Sequence, residues 1–164
     1  MPCAPQFGEP EDGRVYPDRP AAFGVAEQDG KIALVRIEKP DVPAWFDLPG
    51  GAIDPGEDAA RAVAREFGEE TGLVVAVGGA FTWADQRFVN TEGKAFNNRG
   101  AFFDVTVQRT DSALKIEDDH TLVWMTPHDA LTALRHEAHA WAVAAWLRSR
   151  GRAPAHVASL APNR

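Results

Sequence analysis

Cysteine is almost missing from this 164-residue chain: Cys3 is the only one, so no disulfide framework can staple the fold. Long apolar runs are missing as well, none approaching the ~18 residues that a membrane span requires. The N-terminus lacks a basic stretch followed by an apolar core, so secretion is not indicated and a cytoplasmic setting is expected. Positive charge is scarce, with 17 Lys and Arg against 24 Asp and Glu for a net charge of -7. That balance disfavours a nucleic-acid polymer as partner, because such binding needs Lys and Arg on one face; a small anionic ligand stays compatible if a metal ion brings the charge. No internal repeat or low-complexity segment stands out, and nothing points to a particular oligomeric state.

What is present is ordinary for a globular domain: 45% hydrophobic and 25% charged residues, in a length that fits a single core. Residues 1–18 carry Pro2, Pro5, Pro10 and Pro17 and read as an extended arm, residues 19–150 as the folded domain, and residues 151–164 as a tail. "PAAFGVAEQ" and "KIALVRIEK" flank Asp29-Gly30, which favours a tight hairpin turn. "AWFDLPGG" is a short strand broken by Pro49, Gly50 and Gly51, and a helix is expected over about residues 57–71. "LVVAVGGAFTWADQRFV" and "AFFDVTVQ" read as strands joined by a long loop, "NTEGKAFNNRG". "HTLVWMT" is a last strand; Thr126, Pro127 and Asp129 then supply an N-cap, an N1 proline and an acidic N3 for a further helix that bends near His136. Strands interleaved with helices predict an α/β domain, a mixed β-sheet covered by helices on both faces.

The most informative stretch is "GGAIDPGEDAARAVAREFGEETGL". At about 100° per residue, Ala60, Val63, Ala64 and Phe67 form an apolar stripe toward the core. Glu66, Glu69 and Glu70 then converge on the adjoining face, with Arg65 on its flank. Carboxylates so placed repel one another by roughly 0.2–0.5 kcal/mol per pair, which a plain solvated face tolerates. The glycines change the balance. They let the backbone approach whatever the carboxylates hold, and Mg²⁺ is usually held by a few carboxylates, waters and phosphate oxygens. A cation removes the repulsion, and Arg65 can orient a glutamate as a brace.

The stretch resembles the Nudix box, met here by Gly51, Glu57, Arg65, Glu66, Phe67, Glu69, Glu70, Gly72 and Leu73 without departure. A chance match to its seven fixed positions is on the order of 10⁻⁸ per window at residue frequencies of about 7%. The resemblance implies a Nudix-type α/β/α sandwich that hydrolyses a nucleoside diphosphate linked to another group, with Mg²⁺ or, as a substitute, Mn²⁺. It implies Glu66, Glu69 and Glu70 as metal ligands together with the Gly50 carbonyl, braced by Glu57 and Arg65. The general base is then a box glutamate or a carboxylate of the loop before the last strand, where Glu117, Asp118 and Asp119 stand, with Glu92 as a weaker candidate. A nucleoside triphosphate is the first-choice substrate. A nucleoside diphosphate sugar such as ADP-ribose is the alternative, disfavoured because no proline stands where some ADP-ribose hydrolases carry one past the box. A non-catalytic ligand-sensing module is the third reading.

Outside the box, Arg36, Arg87, Asn90 and Asn98 are candidates for substrate contact, with Asn97 and Arg99 beside them in the long loop. Phe46, Trp83 and Phe88 are candidates for stacking on a base, although aromatics more often build the core. His136 and His139 read as helix-surface residues rather than a zinc site, and Trp141 and Trp146 as packing residues.

Overall fold

The structure is a computed structural model that describes residues 3–151. Of the expected tail, Gly151 ends the last helix and the remainder lies outside the described residues. Strands β1 (Gln6–Phe7), β2 (Asp18–Gln28), β3 (Lys31–Ile37), β4 (Trp45–Asp47) and β5 (Gly50–Ala52) precede helix α1 (Ala59–Thr71). Strands β6 (Leu73–Val89), β7 (Ala95–Thr110) and β8 (His120–Met125) follow, then α2 (Pro127–Ala133) and α3 (Glu137–Gly151).

The strands form one mixed sheet in the order β1-β6-β7-β2-β3-β4, with β5 added to β2 and β8 to β3. β1 runs parallel to β6 and β2 parallel to β7, while the other pairs are antiparallel. The Asp29-Gly30 hairpin forms as its sequence predicts, both residues at positive φ (53° and 76°). Side chains alternate across the sheet, and each face is covered. On one face Ala22, Ala26, Ala33 and Phe103 meet Ala62, Val63 and Phe67 of α1. On the other, Phe23, Val25, Leu34 and Phe102 meet Ala130 and Leu134 at the end of α2 and Ala138, Val143 and Trp146 of α3. Among the described residues, no helix is long and apolar enough to cross a membrane.

Several expectations need correction. The supposed long loop is mostly strand: β7 begins at Ala95, and Phe88 and Phe96 pair across the hairpin with ring centroids 5.9 Å apart. Only the tip turns. There the Asn90 side-chain oxygen accepts from the Glu92 and Lys94 N–H groups, and Gly93 takes φ 79°. Asn97 and Arg99 are strand residues; Asn97 bonds to Gln6 and Asp18, and Arg99 pairs with Asp18 and Asp85, which pins the N-terminal arm to the sheet. The second break in expectation concerns His136 and His139. Both are buried, because the chain turns between α2 and α3 and lays them against Phe88, Phe23 and Phe102. Trp146 packs as expected, whereas Trp141 is 44% exposed and covers only an edge, beside Phe7.

Candidate active site

Helix α1 begins two residues later than the expected start at residue 57. Asp58, with extended backbone, is the N-cap and accepts from the Arg61 N–H, so Glu57 lies just outside the helix. Gly72, at φ 74°, closes the other end by donating to the Gly68 carbonyl. Between the caps, Arg65 is the hub of the acidic face. It grips both oxygens of Glu57, Nε and Nη2 each at 2.9 Å. Its Nη1 reaches Glu66 at 3.0 Å and Glu69 at 3.2 Å, and Nη2 also donates to the Ala52 carbonyl. The fork holds Glu57 down to about 2. Arg65 therefore relieves the repulsion that the sequence poses, and it ties the helix to β5.

The two glycines of β5 set how closely that helix can approach. A Cβ on Gly51 would lie 2.9 Å from Glu66 Oε1, so the carboxylate sits directly on the bare backbone. Gly50, at φ 142°, donates its N–H to Glu70 Oε1 at 2.8 Å. Glu70 is buried, and its other oxygen lies 3.1 Å from His120 Nε2. His120 Nδ1 in turn lies 2.7 Å from Asp119, whose second oxygen is paired with Lys39. Burial pushes Glu70 up to about 7 against the pull of His120 and the Gly50 N–H. Burial also opposes charge on His120, but hydrogen bonds to Glu70 and Asp119 outweigh it and push His120 up to about 9. With carboxylates at both ring nitrogens, the proton of this pair resides on the imidazole. Burial raises Glu66 as well, with Glu69 and Glu117 adding to the effect and Arg65 opposing it.

The loop before β8 is held to the C-terminal end of α1 by the Ile116 and Glu117 N–H groups, which both donate to the Glu69 carbonyl. This brings Glu117, Asp119 and His120 within 4.8 Å of one another beside the helix carboxylates. Asp118 points to solvent. An all-oxygen set of three glutamates, over a backbone with room for no side chain, suits a hard divalent cation. The helix carboxylates and the Gly50 carbonyl are among the groups that could hold it, beside the Glu117, Asp119 and His120 cluster.

A cleft opens beside Gly50 and Gly51. Its inner part, about 140 Å³, is lined by Arg19, Asp47, Phe88, Asn98, Arg135 and His139 among others. An outer part of about 380 Å³ continues past Trp45, Lys39, Asn90, Glu92 and His120. Of the residues singled out from sequence, Asn98, Asn90, Phe88 and Glu92 thus border the cleft. Arg36 and Arg87 do not. Arg36 shares its strand face with Leu34, away from Ile37 and the outer cleft, and is ion-paired with Glu38. Arg87 faces the N-terminal arm, its Nη1 3.5 Å from the Gly8 carbonyl. Phe46 packs in the core under α2, and Trp83 is exposed.

Sequence reasoning missed Arg19, Trp45, Asp47 and Arg135. Asp47 accepts from Arg135 Nη2 at 2.8 Å and Trp45 Nε1 at 3.2 Å, and the Arg135 guanidinium stacks on Trp45 at 4.5 Å. Burial raises Asp47, and its Oδ1 has no partner. His139 accepts the Leu48 N–H on Nδ1 at 3.1 Å, so its proton is on Nε2. Burial holds His136 down to about 3 and His139 well below its ordinary value, so both rings are neutral. No local spacing signals these contacts, because β4, the β2 entry and the α2–α3 turn meet only in the folded sheet.

Fold and site together define an α/β/α domain built to present braced helix carboxylates, beside a glycine strand, to a polar cleft. The family model described as NUDIX domain matches residues 16–147, and the chain belongs to the NUDIX family. It is 30% identical over 108 residues to the CTP pyrophosphohydrolase of Escherichia coli (strain K12), covering 65% of this chain and 75% of that one. It is 50% identical over 56 residues to a putative 8-oxo-dGTP diphosphatase of Bacillus subtilis (strain 168), covering 34% of this chain and 36% of that one. The matched stretch spans about a third of the length of three of its relatives. Among solved structures, a NUDIX hydrolase from Nitrosomonas europaea superposes with TM-score 0.67 at 19% identity, over 80% of this chain and 90% of that one, which attests the fold.

Proposed function

We propose that the protein is a metal-dependent pyrophosphohydrolase that cleaves a P–O–P bridge in a nucleotide by attack of water on phosphorus, with nucleoside triphosphates as the substrate class. The observation that carries this reading is the acidic face of α1 against the bare backbone of Gly50 and Gly51: Glu66 and Glu69 held by Arg65, and Glu70 held by the Gly50 N–H and His120. A relative matched over 65% of this chain acts, by its name, on a triphosphate, which supports that substrate class.

A divalent cation, Mg²⁺ or Mn²⁺, bound by these carboxylates and the Gly50 carbonyl, would neutralise phosphate oxygens and lower the pKa of water. The chain's own residues do the positioning. Arg65 fixes Glu57, Glu66 and Glu69 in one arrangement, and His120 with the Gly50 N–H fixes Glu70. Glu117 is the general base of this reading, accepting a proton from water; its half-buried position beside the helix carboxylates, close enough to be felt by Glu66, supports that role.

The test is a panel of nucleoside triphosphates, oxidised dGTP and ADP-ribose incubated with Mg²⁺ or Mn²⁺, with Glu66→Gln as control. Triphosphate hydrolysis that needs the metal and is lost in the variant supports the reading. Turnover of ADP-ribose alone would replace the substrate class, and absence of turnover with every member would overturn the enzymatic reading.

A further inference from the structure

Two of the cations bordering the cleft are already neutralised, Lys39 by Asp119 and Arg135 by Asp47. Arg19 is different. It is half-buried at the start of β2, and among the described residues it has no carboxylate within ion-pair distance. Its Nε donates to Asn98 Oδ1 at 2.9 Å, its strand neighbour in register, and among the described residues neither Nη group has a protein acceptor. The guanidinium plane lies against Phe96 at 4.3 Å and Phe88 at 5.5 Å. Stacking of that kind fixes the plane and leaves its N–H edge free. Arg19 borders both the inner cleft, with Gly50 and Gly51, and the outer one, with Trp45.

A half-buried charge without a counterion is costly to keep, and a planar fork held by two rings and one amide is pre-organised for the paired oxygens of an oxyanion. Arg19 is also near enough to Glu66 to feel its charge.

We propose that Arg19 is the phosphate-recognition residue of the cleft, its Nη edge taking the non-bridging oxygens of the substrate phosphate that leads away from the helix carboxylates toward the nucleoside. Identifying the anion as a nucleotide phosphate rests on the pyrophosphohydrolase reading; the anion site itself rests on Arg19 and its surroundings. The cleaved bridge would then lie between Arg19 and the cation that the helix carboxylates would hold. The nucleoside monophosphate product keeps the contact and inhibits.

The assignment is tested by calorimetry on the full chain in EDTA, with the nucleoside monophosphate of the base turned over fastest and with the corresponding nucleoside. The wild type should bind the monophosphate more tightly than the nucleoside. Arg19→Gln should lose about 10- to 100-fold in affinity for the monophosphate, the range of a charge-assisted hydrogen-bond pair, and bind the nucleoside unchanged. KM for the triphosphate should rise by a similar factor with kcat less affected. Arg19→Lys, which keeps the charge and loses the fork, should recover only part of the affinity, and it decides the matter if the glutamine variant does not fold. Either variant retaining the wild-type preference for monophosphate over nucleoside overturns the proposal. Inorganic pyrophosphate in EDTA supplies a base-free probe that should raise the melting temperature of the wild type and not of Arg19→Gln. That result stands whether or not any nucleotide is hydrolysed, so failure of the Arg19 site and failure of the hydrolase reading are told apart.

Discussion

Replacing Gly51 by alanine adds one methyl group at the point where backbone and carboxylate meet. The added carbon would lie 2.9 Å from Glu66 Oε1 and 3.2 Å from its Cδ. Comfortable non-bonded separation is about 3.5 Å, so the carboxylate must retreat by roughly 0.5 Å. Its retreat pulls on the 3.0 Å bond from Arg65 Nη1, which also holds Glu69. The colliding atoms belong to the far end of a flexible side chain, and the backbone of Gly51 is not in the left-handed region, so the fold can absorb the change. The cost to stability should stay within about 1 kcal/mol. Catalysis is less forgiving: sites need positions held to about 0.5 Å, and displacements near 1 Å cost about 100-fold. Gly51→Ala should therefore lower kcat by about 10- to 100-fold and raise the Mg²⁺ concentration for half-maximal rate, with an almost unchanged melting temperature. The rate is read as phosphate released in the presence of inorganic pyrophosphatase. A variant with full kcat and the wild-type Mg²⁺ dependence would refute the placement of Glu66 in the reaction, and one that simply unfolds would show that the methyl meets more than a movable carboxylate.

The neighbouring glycine should behave in the opposite way. Gly50 has φ 142°, and a Cβ there would stand 2.3 Å from the Ala22 carbonyl oxygen and 2.6 Å from Phe23 Cα, so Gly50→Ala should cost more than about 3 kcal/mol in urea unfolding. Arg65→Gln leaves Glu57, Glu66 and Glu69 facing one another; with the arginine side chain 27% exposed, solvent reduces the cost of the broken cluster to about 2 kcal/mol, measurable by the same denaturation, and Arg65→Lys should restore only part of it. Stability should also have a pH window. The depressed His136 and His139 contribute stability that is present above their unfolded value near 6.5 and lost as pH falls, at about 1.4 kcal/mol per unit for each ring, and His136→Phe should flatten that slope. His120, raised to about 9, contributes stability that is present below about 6.5 and lost as pH rises through 9, so melting temperatures should decline on both sides of the neutral range.

Much of the fold was legible because its signals are local. Asp29-Gly30 marks its hairpin, Thr126 caps α2, and the apolar stripe with Gly72 fixes α1 to within two residues. The helix side of the site was legible for the same reason, since one helical period and two glycines bring Glu66, Glu69, Glu70 and Arg65 together. The cleft was not. Arg19 meets Asn98, 79 residues away, through the β2–β7 register, and Asp47 meets Arg135, 88 residues away, through the α2–α3 turn. The polar run around Asn97 looked like a loop because polar residues prefer solvent. In the sheet, cross-strand partners from Gln6, Asp18 and Arg19 satisfy those side chains, and tertiary contact overrides composition. His136 and His139 misled in the same manner, their i, i+3 spacing running from the turn after α2 into the start of α3, where both face inward.

The central claim is that the α1 carboxylates support attack of water on a phosphorus of a nucleotide P–O–P bridge. The most direct measurement is hydrolysis of the best substrate of the panel in ¹⁸O-labelled water with Mg²⁺, products read by ³¹P NMR, for the wild type and Glu66→Gln. The account predicts one labelled oxygen on a phosphate of a single product, formed by the wild type and lost with EDTA or the substitution. Label in a sugar hydroxyl, or turnover that survives both chelation and loss of the Glu66 carboxylate, would contradict it.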